Sequence, residues 1–426
     1  MDVNVYKDQL VALRRELHKM PEIGWSEFTT TARIVTELRK YGFEVLMGSK
    51  VISPAHTLGR EAKVVAAGLA YARSRGVDEA LLAEMEELTG CVGIWNTGRP
   101  GPVVALRFDI DCVNVQESAK AEHIPNQLGF ASERAGLMHS CAHDGHTSIG
   151  LTVARWISEH ADELKGTIKI LFQPAEEGVR GAAAMAESGI VDDAEIFLGT
   201  HLAMMARTGE IVTAPNGFLC TTKFDVRFKG KPAHAGVEPQ QGRNALVAAC
   251  HTVTQLMGIS RHGSGMTRVN IGQMTAGEGR NVIPVNAELK LEVRGQTGEI
   301  NQYMVDQVNN IVEGVAKSFD VSFEIEKMGE AVDLNNDPEL VELVADVARA
   351  TPGVDTITEV ANFGGSEDAT ILGRRVQARG GKACYFVVGS NRQAGHHQAE
   401  FDIDESSLST AFGIFTGLLT RISGNK

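Results

Sequence analysis

Between about residues 218 and 334 the chain reads strand, helix, strand, strand, helix, strand, and few folds accept that order. The strands are TTKFDVRFKG, TRVNIGQM, NAELKLEVRG and VSFEIEKM, and helical spans near 242–259 and 298–318 separate them. Such a β-α-β-β-α-β series is the pattern of a ferredoxin-like unit. The stretches before and after it share a different, α/β texture. The simplest organisation is therefore one α/β domain over 1–217 and 335–426, interrupted by a smaller α+β domain over 218–334. The expected fold class is α/β, with a central mixed sheet in the larger domain and a ferredoxin-like insert. No internal repeat or linker-like Gly/Ser run disturbs this division.

In the larger domain, DQLVALRRELHKMPEIG predicts an amphipathic helix with Leu10, Leu13 and Leu17 on one face, stopped by Pro21 and Gly24. A second helix follows at about 26–40, ending near Gly42. The Ala-, Leu-, Glu- and Arg-rich stretch from Gly59 to Leu88, broken at Gly76, predicts two more helices before the strand VGIWNT. GPVVALRFDID and GTIKILFQPAEEG are short β-branched runs that each end in carboxylates, Asp109 and Asp111 in one, Glu176 and Glu177 in the other. Ligands of open, helix-flanked sheets gather outside the carboxyl ends of the strands, so both pairs point to one shared site.

The densest chemical feature is MHSCAHDGHT at 138–147, which holds His139, Cys141, His143, Asp144 and His146. Alone, it reads equally as a polar turn with a buried Cys and a helix N-cap at Asp144, or as the start of a metal site, because Cys-x-His is short and common. Its surroundings favour the metal. The PAEEG turn follows a β-run, the strand IFLGTHL ends in His201, and GHHQAEFDIDE adds His396 and His397. Two divalent ions held close together can activate a water and polarise a carbonyl, and they need several imidazole or anionic ligands. A deprotonated Cys can bridge them. In an adjacent Glu pair, one acid can bind metal while its neighbour moves protons as general base. Without a metal the two acids repel each other, although a solvated turn tolerates that.

Charge narrows the partners. With 41 Lys+Arg against 54 Asp+Glu, a net charge of −13 and no basic cluster, the chain is a poor match for nucleic acid or an anionic membrane surface. No apolar run reaches the ~18 residues of a membrane-spanning helix. The opening MDVNVYKDQL lacks a signal-peptide pattern. Six scattered cysteines form no disulfide framework and fit a reducing compartment, so a cytoplasmic location is expected.

MHSCAHDGHT, LFQPAEEGVRGA, LGTHL, GKPAHAG…GRNALVAA, GRNVIP and HHQAEFDIDE together resemble the M20 family of metallo-aminoacylases and carboxypeptidases, in order along essentially the whole chain. They are most similar to its amidohydrolase branch, in which a Cys-x-His pair opens the metal site; RRELHKMPEIGWSE and LRFDIDCV fit that branch too. The resemblance implies two divalent ions per chain, zinc or manganese, bridged by Cys141. His143 and His201 would serve one ion, Glu177 and His397 the other. Glu176 would be the general base. His397 is preferred to His396 because the family places its ligand four residues before an aromatic, here Phe401. His139 and His146 fall at non-ligand positions. Asp111 and Asp144 are expected to orient ligating imidazoles, and Asp109 stands where other branches carry a metal-binding His. Ala142 replaces a Gly common among relatives, which restricts the backbone there.

The resemblance also makes the insert a lid and dimerisation domain. His234 in GKPAHAG matches a His that reaches across the dimer to stabilise the oxyanion in the other site; Asn281 and Arg294 match positions that hold the substrate's carboxylate side. Arg suits that task because its fork grips carboxylates bidentately. The implied activity is metal-dependent hydrolysis of an N-acyl or aryl-acyl amino acid, most narrowly release of glutamate from an aryl amide. The implied partner is a second copy or a related chain, giving a homodimer or a heterodimer. Three alternatives stand beside it: a broader N-acyl amino acid deacylase, a catalytically silent partner chain, and a metal-free Cys141/His143 nucleophile, for which an i,i+2 pair is poor geometry.

Overall fold

The computed structural model describes residues 4–424. They form two compact units, one of residues up to Asn216, Leu334–Phe363 and from Asp368 on, the other of Gly217–Asp333 with Gly364–Glu367.

The larger unit opens with helices α1 (Asn4–Lys19) and α2 (Phe28–Lys40), strand β1 (Glu44–Met47) and helices α3 (Ala62–Ser74) and α4 (Glu79–Glu84). Strands β2 (Cys91–Asn96) and β3 (Val103–Asp109) follow, then α5 (Ile124–Leu128), α6 (His143–Glu159), β4 (Thr167–Gln173), α7 (Gly181–Glu187), β5 (Ile196–Leu202) and β6 (Glu210–Val212). The smaller unit supplies β7 (Cys220–Lys229), α8 (Ala245–Met257), β8 (Thr267–Ala276), β9 (Asn286–Gly295), α9 (Gly298–Phe319) and β10 (Ser322–Ala331). The chain then returns with α10 (Pro338–Ala350), β11 (Thr356–Thr358), α11 (Ala369–Ala378), β12 (Lys382–Val388) and α12 (Ser406–Ile422).

In the larger unit eight strands make one mixed sheet in the order β1-β2-β4-β3-β5-β12-β6-β11. Its centre, β4-β3-β5-β12, is parallel. These strands are almost wholly buried, as expected of apolar runs covered on both faces. From β3 the chain proceeds to β4 on one side, and from β5 toward β12 on the other. The switch point therefore lies between β3 and β5. Helix α6 lies against β3 and β4 at Gly150, where a Cβ would sit 2.7 Å from the Phe108 ring. Leu10, Leu13 and Leu17 of α1 are buried, as their spacing predicts.

In the smaller unit the antiparallel order is β10-β7-β9-β8, the 4-1-3-2 arrangement of a ferredoxin-like unit. Alternate residues of β9 (Ala287, Leu289, Leu291, Val293) join Met304, Val308 and Val312 of α9 in that unit's own core. No helix among the described residues is long and apolar enough to cross a membrane.

Candidate metal centre

The predicted ligands lie at or beyond the carboxyl ends of parallel strands of the larger sheet, or at and just before the start of α6. Asp109 ends β3, Pro174–Glu177 follow β4, His201 is near the end of β5, His143 begins α6, and His396 and His397 follow β12. Of the groups of donor atoms lying within 4.8 Å of one another, two contain Cys141: Cys141, His143 and His201 in one, Cys141, Glu177 and His397 in the other. Cys141 belongs to both. Its Sγ lies 3.6 Å from His201 Nε2, and His397 Nε2 lies 3.1 Å from Glu177 Oε1. Glu176 Oε2 is 3.9 Å from His143 Nε2.

The scaffold fixes these groups through their other atoms. His143 Nδ1 donates to the Asp111 carbonyl at 2.9 Å, and His201 Nδ1 to the Leu202 carbonyl at 2.6 Å. In both imidazoles the Nδ1–H is therefore committed to the backbone, which leaves Nε2 as the nitrogen that a metal would take. The Asp111 carboxylate accepts the Glu176 and Glu177 amides at 3.1 and 3.0 Å, and Glu27 accepts the Ala175 amide at 2.8 Å. The Ala175–Glu177 turn is thus held by three backbone N–H groups pointing at buried carboxylates. Next to it, α7 comes so close that a Cβ at Gly181 would lie 1.7 Å from the Pro174 carbonyl oxygen.

Ala142, Ala175, Val179, Ala203 and His397 all have left-handed backbones, with φ between 52° and 68°. Each costs a non-glycine residue about 1–2 kcal/mol, and such residues persist where the surroundings over-determine them, commonly at functional sites. The Ala142 substitution noted in the sequence falls on one of these positions.

His143 Nε2 and Glu177 Oε1 are buried without an aligned hydrogen bond. A buried imidazole nitrogen without an aligned partner beside a buried carboxylate and a thiol is costly to keep, and a divalent cation would satisfy all three. The donor set fits a metal. The electrostatics agree. Burial, then Glu177, pushes the Cys141 thiol well above its ordinary pKa. Burial, then His146, holds His201 well below its own. Burial raises the Glu177 pKa, but His397 and His143 outweigh it and keep the carboxylate ionised. A cation entering this cluster would displace the thiol proton.

The structure thus brings together Cys141, His143, Glu176, Glu177, His201 and His397. His396 also borders the cluster, with Nδ1 3.4 Å from Cys141 Sγ and Nε2 on the Ala203 carbonyl at 3.0 Å. Asp111 holds His143 through its carbonyl, and its carboxylate holds the turn. Asp144 departs from expectation twice. It does not cap α6, because Ala142 occupies the cap position. Nor does it orient a ligating imidazole: one residue along a helix is a rotation of about 100°, so Asp144 faces α1, accepting from Arg14 Nε at 3.0 Å and His18 Nδ1 at 2.7 Å.

His234 and Asn281 lie in the smaller unit on neighbouring segments, joined by the Ala235 amide on the Asn281 carbonyl at 3.0 Å; both are exposed. Arg294, on β9, already grips a carboxylate, with Nε and Nη2 at 2.9 and 3.2 Å from Glu292.

Several supporting residues escaped the sequence reading. Buried Arg107 reaches Gln173, Asp109 and Asp368 at 2.7, 2.7 and 3.1 Å, and Asp368 caps the Gly181 and Ala182 amides. Buried Arg14 joins Asp144, Asp402 and Glu405, and His18 bridges Asp144 to Glu117. The only signal was a charged residue inside an apolar run, as in VALRFD.

Residues 105–421 match the sequence profile of peptidase family M20/M25/M40. The chain is 54% identical to a homolog of a p-aminobenzoyl-glutamate hydrolase subunit from Haemophilus influenzae, over 99% of this chain and 100% of that protein. It is 40% identical to an indole-3-acetyl-aspartic acid hydrolase of Enterobacter agglomerans, over 95% and 93% of the two chains. The crystal structure of an aminobenzoyl-glutamate utilization protein from Klebsiella pneumoniae superposes with a TM-score of 0.86 at 35% identity, covering 99% of this chain and 98% of that one.

Proposed function

The chain belongs to peptidase family M20/M25/M40 and is a metallohydrolase acting on amide bonds; from that premise we propose that it hydrolyses p-aminobenzoyl-glutamate to p-aminobenzoate and glutamate. The observation that carries the reading is the pair of ligand groups sharing Cys141, with the Glu176 carboxylate beside them. Cys141, His143 and His201 would hold one divalent ion, Cys141, Glu177 and His397 the other. When bound, such a pair polarises a carbonyl oxygen and makes a water more acidic.

Glu176 takes the proton of the attacking water and delivers it to the departing amine nitrogen. Its side chain is buried except for a small exposed fraction, which keeps it within reach of solvent. Asp111 and Glu27 keep the turn that carries Glu176 in place. His234 donates a hydrogen bond to the oxyanion, from a second copy or a related chain, and the smaller unit serves as lid and dimer contact. Asn281 and Arg294 hold the carboxylates of the amino-acid half, Arg294 exchanging Glu292 for the substrate. Zinc suits the Cys and His donors, and manganese the carboxylates.

Substrate preference tests the narrower claim. Purified protein reconstituted with zinc or manganese is expected to turn over p-aminobenzoyl-glutamate faster than hippurate or indole-3-acetyl-aspartate. Equal or reversed kcat/KM would replace it with the broader deacylase reading. Protein that takes up no metal under replete conditions would instead fit a silent partner chain.

A further inference from the structure

Strands β3 and β5 pair from Val104–Ile196 to Arg107–Gly199 and then part. The gap that opens is at the switch point of the sheet, directly beneath the metal-ligand cluster. His146, on the first turn of α6, fills it. Its Nε2 accepts the Leu202 amide at 2.9 Å, in place of a carbonyl from β3. Its Nδ1 lies 2.6 Å from Asp109 Oδ1, and the other Asp109 oxygen is 2.7 Å from Arg107 Nη1. Asp109 and His146 are both buried.

The protons can be followed. A ring nitrogen that accepts a backbone N–H carries no proton, so the His146 proton sits on Nδ1, facing Asp109. Leu202, whose amide is anchored in this way, offers its carbonyl to His201 Nδ1 at 2.6 Å. The next residue, Ala203, turns into the left-handed region, so strand pairing toward β3 no longer dictates the direction of the Leu202 carbonyl. What fixes Leu202 there is the His146 ring on one side and the Ala203 amide on the Val388 carbonyl on the other.

We propose that Asp109 and His146 form one positioning pair that aims His201, holding Leu202 so that its carbonyl keeps the His201 proton on Nδ1 and turns Nε2 toward Cys141. The pair rests on the reading of His201 as a metal ligand. Asp109, His143 and His146 also lie close enough together to form another candidate metal group, but their hydrogen bonds argue against it. Asp109 faces a guanidinium, and both His146 nitrogens are engaged by a carboxylate and an amide. His146 has no lone pair to give a cation, because its Nε2 already accepts the Leu202 amide and its Nδ1 carries the proton, and the Asp109 charge is already answered by Arg107. Asp109, at a position where other branches of the family carry a ligand, is here a positioning residue.

The test compares His146→Leu, which removes the acceptor for the Leu202 amide, with His146→Gln, whose Oε1 can replace Nε2. Side-chain ¹H–¹⁵N correlation spectra of the metal-free protein report the His201 tautomer, and calorimetric zinc titration reports affinity. Wild type is expected to show a single Nδ1–H tautomer of His201. His146→Leu should show a mixture and bind zinc about 10–100-fold more weakly, the usual cost of losing a group that orients a ligand. His146→Gln should recover most of both. An unchanged tautomer and affinity in a folded His146→Leu protein would overturn the proposal, as would a Gln variant as impaired as Leu. If His201→Ala bound zinc like wild type, the ligand assignment would fall, while the tautomer spectra of metal-free protein would still decide the positioning claim.

Discussion

The carboxyl edge of the larger sheet and the trio of the smaller unit proposed for the substrate came from the same motif reading, yet the protein builds them differently. At the sheet edge His143, His201 and the Glu176–Glu177 turn are buried or nearly so and tied through other atoms, His143 to Asp111, His201 to Leu202 and the turn to Asp111 and Glu27, while His397 is the exposed member. In the smaller unit His234 and Asn281 are exposed, His234 Nδ1 does no more than accept the Gly236 amide, and Arg294 is held by a neighbouring Glu on its own strand. Under the proposed function the difference separates two tasks. Groups that bind ions and move protons must be in place beforehand, because misplacement by about an ångström costs rate. Groups that meet a substrate's periphery can be ordered by the substrate.

The largest effect expected from breaking this contrast is at Glu176. Glu176→Gln should keep full metal content and lose ~10²–10⁴-fold in kcat, the usual range for a missing general base. Near-normal turnover with metal bound would show that the built edge is not where the proton moves. His234→Ala sharpens the other side. It should lower kcat by ~10²–10³-fold, as loss of one oxyanion donor does, and leave metal content unchanged. Mixing His234→Ala with Glu176→Gln chains should recover activity if sites are completed between two chains. No recovery in mixed dimers would confine His234 to its own chain.

The smallest effect concerns how far the built region extends. Burial disfavours charge on His18, but hydrogen bonds to Asp144 and Glu117 outweigh it and raise its pKa from 6.5 to about 9. A group whose pKa rises on folding stabilises the fold below its unfolded value, and that contribution disappears as pH climbs through the folded one. The Tm advantage of wild type over His18→Gln should therefore be full below pH 6.5 and shrink toward pH 9. A pH-independent offset would mean that His18 is neutral in its pocket.

Much of this was legible beforehand because it rests on short-range rules. The period of the apolar residues marked α1 and the four strands of the smaller unit, and strand-end carboxylates located the site. What was not legible depends on contacts distant in sequence. Asp144 looked like a ligand-orienting acid because it adjoins His143, but helical rotation hands it to Arg14, 130 residues away. Arg107, inside an apolar strand, drew no reading from the sequence, yet it is the cation about which Asp109, Gln173 and Asp368 assemble. A sequence can show that a charge lies in a buried strand; it does not show which distant group answers it.

The position of β12 carries one more consequence. This strand is wedged between β5 and β6, which end at Leu202 and Val212, well before it begins at Lys382, and the loop after it bears His397. A nascent polypeptide emerging from the ribosome therefore exposes Cys141, His143 and His201 long before the final imidazole exists. Loading with both ions must wait for the end of translation, and any chain cut short before that strand leaves an open sheet edge for quality-control proteases to recognise.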